Sequence, residues 1–422
     1  MKKTHYDIIV VGGGFAGVSS AIAAAREGKD VLLIEKYNCL GGEASFNIVI
    51  PFMPYWTYDK ETKEKIPLSR GIFEEILTNI RALGGTRKDW DCCFDEEILK
   101  LVLNRMLRAS GASVLYQTTL VGANMQNGYM KSITVTNVSG TYDISADYFI
   151  DATGDGNLAT QGGFEYRKGR ESDGLCQPMT LSFRIGNVNK DEYEKCKSEI
   201  NPLYKKLKRE GKIKNEREDL LIFKTAFDTE LHFNATRVTR LDPTKIEDLT
   251  EAELIAREQV FEIFNFLKDN FEAFKNSYIS KTGIQIGVRE SRQIVGEYTL
   301  SKNDIISCKK FDDSIALCNY DIDIHSPDGE GTSHYYFKEG EYYEIPYRCL
   351  LPKGSKNLIV AGRCISADHE AQASLRIMPT CAAIGQGAGI GAVVAHDDNV
   401  PVNKIDIKKL QEKLILNGAK IH

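Results

Sequence analysis

The sequence predicts an α/β protein: a doubly wound parallel sheet with an inserted antiparallel meander, joined by a second α+β domain. Three observations lead there. Residues 6–35 read as a buried strand, a glycine turn, a small-residue helix and a second buried strand. Two later apolar runs, at 148–156 and 357–364, also end in glycine turns. Between them, residues 164–345 carry more aromatic and charged residues and fewer strand–helix–strand signals. A doubly wound sheet gathers its ligand at the C-terminal ends of its strands, where all three glycine turns fall.

The opening unit is the most specific. Ile8, Ile9, Val10 and Val11 form the strand, and Gly12 lets the chain turn out of it. Gly14 has no Cβ, so a pyrophosphate can approach the backbone, and Gly17 lets the helix pack close to the sheet. The helix N-terminus offers free N–H groups and its positive dipole end to phosphates. Glu35, twenty-one residues after Gly14, is placed to accept hydrogen bonds from a ribose and to repel a 2′-phosphate. With 35 glycines in the chain, the triplet alone would mean little; the flanking strands and the alanine-rich helix make it a dinucleotide signature.

Further along, Gly41-Gly42-Glu43 can bring the chain against a bound cofactor. Residues 71–83 and 95–109 have helical apolar spacing, the second with Asp95 as N-cap and Gly111 as its end. Stretches 113–124, 129–138 and 142–150 predict a three-stranded meander with turns at Asn127-Gly128 and Ser139-Gly140. Thr250 and Glu253 form a candidate capping box for a long helix. Stretches 283–289, 292–300 and 314–324 read as strands. After the return strand at 357–364, Pro379 suits the start of a helix whose small residues allow close packing on a cofactor or the sheet. The predicted domains are 1–163 and its return segment 346–400, a substrate or cap domain at 164–345, and a C-terminal helix at 401–422.

Composition limits the function. The chain has 422 residues, 42% apolar and 27% charged, with a formal net charge of −5 and no block of one sign. That predicts no nucleic-acid or polybasic membrane surface. Residues 1–5 lead straight into the first strand, so no secretory signal is expected, and the apolar stretch 382–395 is too short and glycine-rich to span a bilayer. Ten scattered cysteines without paired spacing fit free thiols and a cytoplasmic location.

Taken together, Asp7 to Glu35, Leu40-Gly-Gly-Glu-Ala-Ser45, Ile150-Asp-Ala-Thr-Gly-Asp-Gly156, Gly287-Val-Arg-Glu-Ser-Arg292, 360–369, 376–381 and 385–389 carry a family likeness. The chain resembles the FAD-dependent oxidoreductases of the glutathione-reductase-like class. The likeness is strongest to the FAD-dependent oxidoreductase family related to the flavin subunits of heterodisulfide reductases. The resemblance implies bound FAD. Gly12, Gly14, Phe15, Ala16 and Gly17 would hold the pyrophosphate, and Glu35 the adenosine ribose. Lys36, Gly41, Gly42 and Glu43 would lie along the cofactor, and the Leu120 or Val121 backbone would meet the adenine. Thr153, Gly154 and Asp155 would flank the phosphate and ribityl segment, with Gly362 and Arg363 at its end. The helix over 380–391, including Thr380 and Cys381, would aim its N-terminus at the flavin. Many relatives are acidic where this chain has Arg363.

For proton transfer, His325 and His369 are the best of seven histidines, both lying in turns, with His369 on the segment that should face the flavin. Arg289, Arg292 and Arg376 could pair with a substrate carboxylate or phosphate. Cys39 has no nearby partner for a dithiol relay, and packing is the simplest role for Cys364 and Cys381. Without a second glycine motif in strand context, no dedicated NAD(P)H domain is expected. The predicted reaction is hydride transfer between a small organic substrate and FAD. The alternatives are an FAD-holding electron-transfer subunit acting with a protein partner and an NAD-binding dehydrogenase without flavin.

Overall fold

Seven strands form the main sheet: β1 (His5–Val11), β2 (Val31–Ile34), β3 (Ser113–Leu115), β4 (Thr119–Gln126), β5 (Tyr129–Asn137), β6 (Gly140–Asp151) and β7 (Leu358–Val360). The computed structural model describes residues 4–87, 89–90, 92–329 and 331–422. The expectation for Met1 to Lys3 therefore lies outside the described residues.

β3, β2, β1, β6 and β7 run parallel in that spatial order. β6 is twelve residues long and serves two partners in succession. Its first half pairs antiparallel with β5, and its second half lies parallel between β1 and β7. This is how a meander can grow from a parallel sheet without a break. The Asn127-Gly128 turn has φ of 52° and 82°, the two positive values that a tight hairpin turn requires.

The predicted first meander strand, 113–124, is two strands instead. β3 pairs parallel with β2, and β4 opens the meander. Between them Gln117 has φ of 50°, which no continuous strand allows. The stretch Gln117-Thr118-Thr119 holds no glycine, proline or asparagine to mark a turn, so the positive φ has no local signal in the sequence.

Helix 71–83 is found at Ile72–Ala82, and helix 95–109 at Glu96–Ser110. Asp95 caps the latter by accepting from Glu97 N, and Gly111 closes it in the left-handed region. The long helix expected to open at Thr250 starts four residues earlier, as Ile246–Asn270. Thr250 Oγ1 bonds back to Ile246 O at 2.8 Å, so it extends the helix rather than capping it. Leu254 is exposed, while Val260, Ile263 and Leu267 are buried.

A second, antiparallel sheet orders Ile222–Lys224, Leu231–Phe233, Phe183–Gly186 and Tyr278–Thr282. With Ile246–Asn270 it surrounds its own apolar cluster, whose buried residues run from Met179 to Ile286. Ile294, Leu300, Ile305, Ile315 and Ile345 pack into the main cluster instead.

Two helices set the geometry of the site. Phe15–Arg26 follows β1, and Met378–Asp398 lies against it. Glycines make the contact close. A Cβ on Gly385 would fall 2.1 Å from Ala16 O, and one on Gly389 would fall 2.4 Å from Ser20 O. Ser20 Oγ lies 2.8 Å from both Ala16 O and Gly385 O. The small-residue face predicted to meet a cofactor or the sheet thus meets the first helix. Met378–Asp398 is long and apolar enough to cross a membrane by length and composition, and it is mostly buried inside the protein.

Candidate functional site

The glycine turns converge as their sterics demand. Gly12 has φ of 103°, and a Cβ there would sit 2.4 Å from Ala152 O, so the first two turns touch backbone to backbone. A Cβ on Gly17 would lie 1.8 Å from Gly12 O. Gly41 N donates to Gly13 O at 2.9 Å, which folds the 41–43 turn over the first. Gly14 differs: a Cβ there would meet only Gly42 Cα, at 3.9 Å. Its open side faces a cavity of about 1250 Å³ of empty space, mouth included, walled by all these turns.

Two helix N-termini open into this cavity. Phe15–Arg26 begins at Gly14 with no side-chain cap and no acidic residue in its first turn, and Gly14, Phe15 and Ala16 line the wall. Met378–Asp398 begins at Ile377, also without a side-chain cap, and Met378 and Cys381 line the wall. Uncapped N–H groups at the positive ends of two helices favour anions. The residues present fit FAD on this ground: its diphosphate needs such donors, and the open side of Gly14 gives it room.

Glu35 is buried and lines the cavity, but its carboxylate is already engaged. It accepts from Gly13 N at 2.6 Å and from Tyr37 N at 2.8 Å. Glu35 therefore braces the glycine turn, in addition to any bond to a ribose. Burial pushes its carboxyl up, against the pull of these two bonds. Lys36, Gly41, Gly42, Glu43, Thr153, Gly154, Asp155, Gly362 and Arg363 also line the cavity. Val121 does not; it is 48% exposed, and Leu120 takes the place beside it. Thr380 is buried off the wall, with Oγ1 on Cys318 Sγ at 3.3 Å.

Arg363 makes a contact that the sequence left open. It binds Asp155 Oδ1 at 2.7 Å and reaches Glu43 Oε1 at 3.7 Å. Burial would raise the Asp155 carboxyl, yet Arg363 outweighs it and holds that carboxyl below its ordinary value. Asp151, named only as part of a motif, has a role of its own. Its buried carboxylate accepts from Thr153 N, Thr153 Oγ1 and Ala159 N at 2.7–3.0 Å and so shapes the second turn. Its signal was an acid at the end of an apolar strand, the same signal as Glu35.

A second cavity, about 1910 Å³ with its mouth, shares a wall with the first. Glu43, Val288, Arg363, Arg376 and Met378 face both. Val288 and Met378 gave no signal in the sequence beyond ordinary core residues. The rest of the second cavity comes from residues 49–54, from 217–223 and the loops flanking the second sheet, and from the region around the strand Ile322–His325.

The two predicted histidines part company. His325 lines the second cavity, but both its nitrogens are in use. Arg237 at 3.3 Å and Arg217 at 3.5 Å face Nδ1, and guanidinium only donates, so Nδ1 accepts. Nε2 then carries the proton and faces Asp323 Oδ2 at 3.3 Å. Burial and the nearby Arg289 keep this imidazole well below its ordinary pKa, and thus neutral. His369 lines neither cavity. Its Nδ1 binds buried Glu290 at 2.8 Å, while its Nε2 is buried without a partner. Burial pulls its pKa down, but Glu290 outweighs this and raises it overall. The structure therefore does not bring His369 to the cofactor cavity as the sequence suggested, because its helix, His369–Leu375, turns that ring toward Glu290.

Of the three candidate arginines, Arg289 and Arg376 line the second cavity. Arg292 instead donates to Asp155 O and Asn157 Oδ1, both at 3.1 Å. None of the ten cysteines forms a disulfide among the described residues. Burial raises the thiols of Cys39 and Cys364 and pushes Cys381 up to about 12, so none of the three is an activated thiolate.

Residues 7–414 match the family described as FAD dependent oxidoreductase. Two curated relatives are digeranylgeranylglycerophospholipid reductases. That of Methanocella arvoryzae is 28% identical over 141 residues, 31% of this chain and 35% of that protein. That of Methanoculleus marisnigri is 28% identical over 161 residues, 36% of this chain and 39% of that protein. The matched stretch spans little more than a third of either relative. Among solved structures, a geranylgeranyl bacteriochlorophyll reductase-like protein from Thermoplasma acidophilum aligns with a TM-score of 0.44 at 13% identity, covering 98% of this chain and 83% of that one. A p-nitrophenol 4-monooxygenase from Pseudomonas putida aligns with a TM-score of 0.46 at 11% identity, covering 98% and 84%.

Proposed function

The chain belongs to the FAD-dependent oxidoreductase family, and from that premise we propose that it transfers a hydride between FAD in the first cavity and a small organic molecule in the second. Membership makes it a flavin-dependent redox enzyme and sets aside the dehydrogenase without flavin. FAD, when bound, supplies the two-electron chemistry.

The chain's own residues bind, orient and enclose. In this reading Gly12, Gly14, Phe15, Ala16 and Gly17 hold the diphosphate on the first helix N-terminus. Glu35 and Lys36 lie at the adenosine ribose, with Leu120 rather than Val121 beside the adenine. Gly41, Gly42, Glu43, Thr153, Gly154, Asp155 and Gly362 line the path between. Arg363 is held by Asp155 and Glu43, so its charge is largely spent within the protein. The N-terminus of Met378–Asp398 favours negative charge beside the shared wall. His325 acts as a positioning residue, tying Asp323 to Arg217 and Arg237. The single observation that carries this reading is the joining of the cavities: one wall faces both a double helix-N-terminus anion site and a roomy second chamber.

The finer assignments are proposals on the same footing. The three converging glycine turns favour a place among the glutathione-reductase-like flavoproteins, near the heterodisulfide reductase flavin subunits. The separate apolar cluster between Met179 and Ile286 favours a cap unit narrower than 164–345. Ten cysteines without a disulfide among the described residues favour a reducing, cytoplasmic setting.

The test is an anaerobic screen. The purified protein is mixed with a panel of small organic compounds, and flavin absorbance near the visible maximum is followed. Bleaching of oxidised enzyme, or recovery of pre-reduced enzyme, by one compound without any protein partner is the expected result. Redox change only after addition of a partner protein would replace this reading with the electron-transfer subunit.

A further inference from the structure

Resting on that reading of the second cavity, we propose that its substrate carries an anionic oxygen group, a carboxylate or a phosphate, seated between Arg289 and Arg376 beside the shared wall. The argument starts from which charges are already answered. Each carboxylate lining the cavity faces a cation or a ring nitrogen of its own. Glu43 has Arg363, Glu218 has Arg237 at 3.2 Å, and Asp219 has Arg217 at 3.6 Å. Asp321 faces His334 at 3.0 Å; Asp323 faces the neutral His325 at 3.3 Å and a cation, Arg376, only at 3.8 Å.

The arginines are not all answered in return. Among the described residues, Arg376 makes no side-chain hydrogen bond; its nearest carboxylate is Asp323, at 3.8 Å, and its buried Nε has no partner. Arg289 has no carboxylate within 4.0 Å among the described residues. It donates only to neutral oxygens: Pro178 O at 2.7 Å, Thr180 Oγ1 at 2.5 Å and Asn234 Oδ1 at 3.2 Å. Those three bonds fix the plane of the guanidinium and leave two of its five N–H donors without a partner among the described residues.

A half-buried guanidinium with no carboxylate in close contact is costly to hold, and a ligand that supplies the missing anion offsets that cost. Burial and the like charges of Arg376 and Arg217 already push the Arg289 pKa well down, the strain that an incoming anion relieves. A planar fork with free donors suits the two oxygens of a carboxylate or phosphate. Arg376 also faces the cofactor cavity, so a group held there sits next to the redox centre. Arg292 lines neither cavity, and Arg363 is already paired with Asp155.

The test uses three probes that share one ring and differ in the head group: benzoate, phenyl phosphate and the neutral benzamide. Binding to the flavin-loaded wild-type protein is measured by calorimetry, with flavin content and far-ultraviolet circular dichroism recorded on every sample. Saturable binding of benzoate, phenyl phosphate or both, at least about tenfold tighter than benzamide, is expected, and the preferred head group identifies the anion. Arg289→Gln and Arg376→Gln are each expected to weaken it by about tenfold or more with the fold and flavin content retained. Arg289→Lys, which keeps the charge but not the fork, is expected to fall between. Benzamide binding as tightly as the anions would overturn the proposal on wild-type protein alone, as would well-folded variants of unchanged affinity. Anion binding by a protein without flavin would refute the redox reading and leave this one standing.

Discussion

At the scale of single residues, the site is a set of contacts with little slack. Arg363 and Asp155 show it best. Replacing Arg363 with Met leaves a mostly buried carboxylate without its cation and is expected to lower stability by about 2–3 kcal/mol in urea unfolding. The Asp155 pKa is held below its ordinary 3.8, so the pair's contribution is present above that value and fades as pH falls toward the lower folded pKa. Arg363→Met is expected to lack this acid-dependent component. His369 runs the other way. Its folded pKa is raised above 6.5, so its pairing with Glu290 stabilises fully below 6.5 and is lost as pH rises through the raised value. Thermal unfolding of wild type across neutral to weakly alkaline pH is expected to show that loss, and His369→Gln to flatten it; equal slopes would contradict the assignment. Residue roles were legible where sterics act locally: Gly12, Gly14 and Gly17 could be read because a turn and its neighbours dictate them. Arg289 could be named but not understood, since its partners Pro178, Thr180 and Asn234 lie 55 to 111 residues away in sequence.

At the scale of elements, the contact between Phe15–Arg26 and Met378–Asp398 holds both helix N-termini at the cavity. A Val at Gly385 would drive a branched side chain into the Ala16 carbonyl. The expected result is a stability loss of at least ~1–3 kcal/mol, read as a lower melting temperature, together with reduced flavin content. Removing the Asp95 cap, by contrast, touches only the start of Glu96–Ser110. Asp95→Ala is expected to cost about 1 kcal/mol in the same assay with flavin content unchanged. Helices with strong apolar spacing and caps were readable to within a residue or two. The split at Gln117 was not, because no turn-forming residue marks its positive φ. The start of Ile246–Asn270 was missed because Thr250 and Glu253 imitate a cap that packing overrides: Thr250 bonds back within the helix, and Glu253 instead accepts from Ile286 N.

At the scale of the whole molecule, chain segments hundreds of residues apart build one cleft. β6 makes this possible by serving the meander first and the parallel sheet second, so that β7 returns beside it with the Gly362 turn. The paired glycine turns made that return readable, since each marks a strand end on the same edge. The second chamber was not readable, because its walls come from short strands and loops whose local patterns say nothing of one another. The central claim is that these segments grip one FAD. The most direct measurement is the absorption spectrum of the supernatant after the purified protein is denatured, with FAD distinguished from FMN by chromatography. Close to one FAD released per chain is the predicted result. A colourless protein that releases no flavin, and takes up none when FAD is added, would contradict it.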